Sequence, residues 1–418
     1  MLKRFLAALF FALFLVPFCA GTDLAEPLVR GNFWKMSEGE FRRLFNGMRY
    51  STVDENTIRV RKDKSLTFGT LNLGEILVTR EAGAYAKLDV VIYSKGDDGA
   101  LGRDGFEKLL EKSVAAIDAA TGSAGTPSRT GARETGVKTR MWKWNLPECF
   151  VRLEAATSGS GRGGSFTAEF IRVSFGPSEE SLERGGAADI VSRRDLKENV
   201  KRDADGNVRI EGIPMVDQGN KGYCVPATVS RVFAYYGMDG VDQHALAALC
   251  KTAAGGGTSS RAMAEALEQI CRVFRMRVLA LDGNNLNNYV AEYNKAAKKL
   301  KRPLITESNL SKATIGADVV LEAFAGKPVQ QRKWLAAVRK NIDAGVPVVW
   351  SVRLGLFPEP GRSRQTGGGH MRLIVGYNEA EGTVFFSDSW GASHACKKMP
   401  LRQACAITVS RYVLRPNR

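Results

Sequence analysis

The strongest constraint on this chain lies near its C-terminal end. Residues 371–377 read as a strand, 378–382 carry turn signals, and 383–387 read as a second strand. Antiparallel pairing about a turn centred near residue 380 predicts that His370, just before the first strand, falls within a residue or two of Asp388, just after the second. Both side chains can then share one face at one end of a sheet. A carboxylate so placed accepts a hydrogen bond from one ring nitrogen and turns the other towards a third group. Flanking glycines (Gly367, Gly368, Gly369) leave the approach to His370 open.

The third group lies far upstream. Cys224 precedes Val225-Pro226, and Pro is favoured in a helix's first turn, where no backbone donor is needed. Val229, Val232, Phe233 and Tyr236 recur at helical spacing, and Gly237 ends the run. A thiol at a helix N-terminus with a histidine beside it is shifted towards thiolate. Gln218, six residues earlier in a Gly-containing loop, can join the Cys224 N–H in holding a tetrahedral oxyanion. Singly, such residues are as readily a core cysteine, a structural histidine and a loop glutamine. Together they equip a chain for nucleophilic attack on an amide or ester carbonyl.

These residues carry a resemblance. From about Ile210 onward the chain resembles a papain-like cysteine peptidase, closest to the branch of bacteriocin-leader (double-glycine) peptidases and their exported relatives. Asp217-Gln218-Gly219 before Cys224 resembles the family's oxyanion Gln and nucleophile. Tyr223-Cys224-Val225-Pro226-Ala227 with Tyr235-Tyr236-Gly237 looks like that branch's nucleophile helix, and Gly369-His370 through Gly376-Tyr377 is similar to its His strand. Asp388-Ser389-Trp390-Gly391 resembles the papain Asn-Ser-Trp-Gly motif, with the Asp that this branch commonly has. Val225 departs, since a Gly usually follows the Cys. The resemblance covers half the chain and implies an α+β, papain-like peptidase domain preceded by a separate small α+β domain. It implies Cys224 as nucleophile, His370 as base, Asp388 as its orienter, Gln218 at the oxyanion, and a preference for glycine before the scissile bond.

The rest of the 418 residues divides as follows. Residues 1–20, with Lys3 and Arg4 before an apolar run, read as a signal peptide, and Val16-Pro17-Phe18 before Cys19 is no lipobox. Residues 27–176 read as a mixed domain with strands at 87–93, 150–157 and 166–175. Its helix starts at a capping box of Asp104 and Glu107, shows Phe106, Leu109, Leu110, Val114 and Ile117 on one stripe, and ends at Gly122. A mobile loop is expected over 122–138, a charged linker over 177–206, and the peptidase domain over 207–418. The helix around Trp334, Leu335, Val338 and Ile342, closed by Gly345, and the strand 348–352 read as core, while 353–369, with Arg362 and Arg364, reads as a lid or a plain loop. His244 reads as packing at, or capping, a helix start, and His394 as a loop residue. The N-terminal domain is open between an inhibitory pro-segment released at the linker and a module that recruits substrate or a cell surface.

The chain carries a net charge of +16, but its basic pairs are scattered and lack aromatic interleaving. That argues against specific nucleic-acid binding and for attraction to anionic surfaces. No later stretch reaches transmembrane length, so a secreted or periplasmic protein acting on peptide or protein substrates is expected. Export permits disulfides among Cys149, Cys250, Cys271, Cys396 and Cys405, with 250–271 and 396–405 as local candidates and Cys224 free. Three dispersed histidines and no Cys-x-x-Cys pair predict no metal, and no cofactor is expected. Two other functions fit the same residues: a transglutaminase-like acyl transferase, and a binding protein on a catalytically retired peptidase scaffold.

Overall fold

The structure is a computed structural model and describes residues 21–131, 137–159, 166–183, 195–238, 242–253, 257–258, 260–281, 286–310, 313–359, 365 and 367–416. The expected signal peptide, Arg362 and Arg364 lie outside them. Two sheets dominate, each of eight strands among the described residues.

The first sheet is antiparallel throughout. Its order runs Tyr50–Thr52, Thr57–Val60, Ile76–Glu81, Ala84–Ser94, Thr167–Gly176, Phe150–Ser158, Val137–Asn145, Thr126–Gly131. Alternate residues face its core: Leu88, Val90 and Ile92 on one strand, Val151, Leu153 and Ala155 on another, Ile171, Val173 and Phe175 on a third. The helix Arg103–Thr121 lays Phe106, Leu110 and Ile117 on that core, and Gly122 ends it in the left-handed region at φ 69°. Its expected capping box does not form. Gly102 is the N-cap, and Glu107 instead receives two hydrogen bonds from Arg140 at 2.8 and 2.9 Å. Within the stretch 122–138, expected to be a mobile loop, Thr126–Gly131 is a strand that pairs with Val137–Asn145.

In the second sheet the order is Val200–Arg202, Asn207–Ile210, Gly368–Asn378, Val348–Leu354, Thr408–Pro416, Met276–Ala280. Thr383–Ser387 branches off Gly368–Asn378, and Lys397–Pro400 pairs with it in turn. The hairpin closes as the sequence predicts: Leu373 pairs with Ser387 and Asn378 with Thr383, with one bulge between Ile374 and Gly376. That register brings Asp388 opposite the stretch that holds His370.

The helix Cys224–Tyr235 crosses this sheet, and its Thr228 hydroxyl donates to the Met371 carbonyl at 3.2 Å. The helix Pro328–Ile342 and the strand Val348–Leu354 lie in the core as expected. Gly345 between them has φ 71°, and a Cβ there would sit 1.9 Å from the Leu196 carbonyl oxygen, so only glycine fits. Leu196 belongs to the stretch expected to be a linker. Its fully buried side chain, and the pairing of Val200–Arg202 with Asn207–Ile210, make residues 195–202 part of the second core and sheet. Charged residues mask this in the sequence because the short edge strand faces solvent on one side.

No disulfide joins the six described cysteines. The 250–271 candidate pair is buried as small apolar groups in the second core, and the 396–405 pair is split between solvent and core. No helix of the described residues is long and apolar enough to cross a membrane.

Candidate active site

Cys224 is the first residue of its helix and stays partly exposed, while Tyr223 before it and Val225 after it are buried. Pro226 occupies the first turn, as expected. As helix starter, Cys224 has no intrahelical acceptor for its N–H, so that donor and the helix dipole face whatever lies at the thiol. Burial pushes the Cys224 thiol up, but His370 and the N–H groups of Met371 and Val225 outweigh it and hold the pKa below its ordinary value.

His370 is fully buried, and its Nε2 lies 3.0 Å from Asp388 Oδ1. That engagement leaves Nδ1 for the sulfur. Nδ1 is buried without a well-aligned hydrogen bond. The thiol and the imidazole nonetheless interact. Burial lowers the His370 pKa, but Asp388 and Cys224 outweigh it and hold it above the ordinary value. Trp390 stacks on the imidazole with ring centroids 4.5 Å apart and an interplanar angle of 22°, which fixes the ring's plane.

Asp388 is held in turn by cations. Arg372 Nε lies 2.9 Å from Oδ1 and Lys397 Nζ 2.7 Å from Oδ2, both side chains buried. Burial raises the Asp388 pKa, yet Arg372, His370 and Lys397 together drive it far below the usual carboxylate range. A second acid offsets the second cation. Glu359 accepts from Arg372 Nη1 at 3.0 Å and Nη2 at 3.2 Å, and sits 3.4 Å from Lys397 Nζ. Two acids and two bases therefore form a neutral quartet beside the imidazole. Arg231, from the Cys224 helix, locks the two elements together: it donates to the Asp388 carbonyl at 3.1 Å, the Ser387 hydroxyl at 2.6 Å and the Pro214 carbonyl at 2.9 Å.

Gln218 meets the same cluster. Its backbone N–H donates to the Ser389 carbonyl at 2.9 Å, and its Oε1 accepts from the Ser389 hydroxyl at 2.7 Å. Its Nε2 donates one hydrogen to the Lys221 carbonyl at 2.8 Å. An amide nitrogen has two hydrogens. One of them helps to fix the side chain's orientation, together with the Ser389 hydroxyl on Oε1.

The sequence singled out Cys224, His370, Asp388 and Gln218, and the structure brings all four to one end of the second sheet and its crossing helix. His394 is buried in a short 3-10 turn, with its ring edge-on to Trp390, and its carbonyl accepts from the Asp388 N–H at 3.0 Å. His244 packs between Tyr223 and Phe170, and it is Asp242 that caps its helix. Of the stretch 353–369, expected to be a lid or a plain loop, Glu359 is held by Arg372 and Lys397, and residues 353–354 and 368–369 are strand. Sequence reading missed Arg231, Arg372, Lys397 and Glu359. The available signal was an arginine inside the apolar run 371–376, where a buried cation requires a buried acid.

Among the described residues no group of three or more His, Cys, Asp or Glu could hold a metal ion. Residues 210–413 match the family model described as Peptidase_C39 like family. This is consistent with a papain-like cysteine peptidase of that kind in the C-terminal half. No curated protein matches the chain.

Proposed function

We propose that the protein is an exported cysteine peptidase that hydrolyses peptide bonds through Cys224, His370, Asp388 and Gln218. The observation that carries this reading is the mutual shift of the thiol and the imidazole, the first downward and the second upward, with a buried carboxylate 3.0 Å behind the ring. Shifts in these directions favour the thiolate and the imidazolium.

The thiolate attacks the scissile carbonyl carbon, and the carbonyl electron pair moves onto oxygen. The free Gln218 Nε2–H and the Cys224 N–H receive that oxyanion. His370 gives its proton to the amide nitrogen as the C–N bond breaks and the amine leaves. Water then attacks the thioester, His370 takes a proton from it, and the C–S bond breaks to release the acid and the thiolate. Asp388 keeps Nε2 engaged, so Nδ1 carries the proton traffic.

Incubation of the mature protein with a mixed peptide library containing Gly-Gly sequences, read by mass spectrometry, tests this. New peptide termini are expected, and they vanish in Cys224→Ala. Incorporation of an added primary amine without net hydrolysis would favour the acyl transferase instead. Neither product would leave a binding protein. Export belongs to the same proposal and rests on the charged start and apolar run of residues 1–20. Terminal sequencing of the extracellular form should find them removed.

A further inference from the structure

The segment that leads into the nucleophile is gripped by the first sheet. Arg59, on the strand Thr57–Val60, is 2% exposed; its Nη1 lies 2.6 Å from Asp217 Oδ2, and a second guanidinium nitrogen donates to the Asp217 carbonyl. Its Nε lies 3.1 Å from Glu75 Oε2. The other Glu75 oxygen is 3.1 Å from Lys221 Nζ, which also meets Asp97 at 3.0 Å. Ser94, at the end of the strand Ala84–Ser94, shares a 3.2 Å hydrogen bond with the Tyr223 hydroxyl. Asp217, Lys221 and Tyr223 flank Gln218 and Cys224 in the chain, and all three are buried.

The approach is too close to be incidental. Gly219 has φ 69°, and a Cβ on it would lie 3.1 Å from Lys221 Nζ and 3.2 Å from Glu75 Oε2. A Cβ on Gly96 would lie 2.5 Å from the Tyr223 ring. Gly391, two residues after Ser389, faces both Asp217 and the Thr52 carbonyl. Glycine therefore stands at three of the close approaches around this loop, at 96, 219 and 391.

We infer that Arg59 and Glu75 are positioning residues for the oxyanion loop, and that the N-terminal half is a permanent part of the catalytic centre rather than a removable inhibitory segment. The inference rests on the reading of Cys224 as nucleophile and Gln218 as oxyanion donor. Its logic runs through one atom: the Lys221 carbonyl, which receives the Gln218 Nε2–H at 2.8 Å, is placed by a side chain that Glu75 and Asp97 hold. Releasing Lys221 removes one of the two hydrogen bonds on the Gln218 amide and leaves it to the Ser389 hydroxyl alone, which loosens the donor at the developing oxyanion while the thiol and its histidine stay in place.

Two reactions of the same sulfur separate these effects. Alkylation by iodoacetamide displaces iodide from a saturated carbon and forms no oxyanion, so it reads the thiolate and His370. Acylation by p-nitrophenyl acetate passes through a tetrahedral oxyanion and releases p-nitrophenolate, so it reads the oxyanion donors as well. In the full chain, Glu75→Gln should slow acylation of Cys224 by about tenfold or more while alkylation changes by less than about twofold. Arg59→Lys, which keeps the charge but loses the fork between Glu75 and Asp217, should behave alike, whereas Glu75→Asp should recover part of the acylation rate. An alkylation rate at Cys224 that matches the wild type below about pH 7, where an ordinary thiol of pKa about 8.5 reacts slowly, certifies that each variant is folded around the thiol. Parallel loss of both reactions, or no change in either, overturns the positioning role. A wild-type thiol that alkylates only as an ordinary cysteine and does not acylate overturns the underlying peptidase reading, and this inference with it.

Discussion

At the scale of single residues, the site is set by which charges are offset and which are left to act. Asp388 touches Arg372 and Lys397 as well as His370, so its charge would be largely cancelled for the imidazole if Glu359 did not offset the second cation. Glu359→Gln removes that acid at nearly constant shape. The surplus positive charge then favours the thiolate and disfavours the imidazolium. Both limbs of the bell-shaped pH–kcat/KM profile are therefore expected to move to lower pH, as measured on a cleaved library peptide. Gln218→Ala tests a different residue by a different readout: kcat should fall about 10²–10³-fold with little change in alkylation of Cys224. Cys224 and His370 were legible because Pro226 and Gly367 to Gly369 mark the ends of their elements, Asp388 by its hairpin register with His370, and Gln218 by its spacing before Cys224. The ion quartet was not, since its members are spread from 359 to 397 and nothing in their local patterns pairs them.

At the scale of elements, one hydroxyl joins three of them. Thr408, where the helix Leu401–Ile407 passes into the strand Thr408–Pro416, accepts from the Trp334 indole at 3.1 Å and the Trp350 indole at 2.8 Å and donates to the Ala404 carbonyl at 2.7 Å. Thr408→Val keeps the volume but leaves two buried indole N–H groups without an acceptor, and should lower stability by about 2–4 kcal/mol in chemical unfolding. The hairpin, the Cys224 helix and the Pro328–Ile342 helix were readable from period and punctuation alone. The strand Thr126–Gly131 and the edge strand Val200–Arg202 were not. Both are short, polar and rich in charge or glycine, and they become strands only because a neighbouring edge offers unpaired backbone groups. The missing capping box at Asp104 is the same lesson at a helix end, where Arg140 on the sheet draws Glu107 away from the cap.

At the scale of the molecule, the two sheets and their cores meet at a buried junction that no local pattern announces. His244 sits in it, between Phe170 of the first sheet and Tyr223 beside the nucleophile. Burial, then Lys221, lowers its pKa to about 4, so it is neutral in the folded state near neutral pH. Its folded pKa lies below the unfolded value of about 6.5, so the unfolded chain binds the extra proton as pH falls. Stability should therefore drop between about pH 6.5 and 4, by up to about 3 kcal/mol, and the melting temperature of His244→Gln should lose that slope. Protonation there would also put charge next to Lys221 and Arg172, so acid would loosen the junction and the site together. All of this depends on a sulfur and an imidazole that meet only because the Cys224 helix crosses the His370 strand. The most direct measurement is the pH dependence of iodoacetamide alkylation at Cys224 in the wild type and in His370→Ala. The account predicts a wild-type rate that persists well below the ordinary thiol pKa of about 8.5, and a variant whose rate falls away below that value. Superimposable profiles, both following an ordinary thiol, would contradict it.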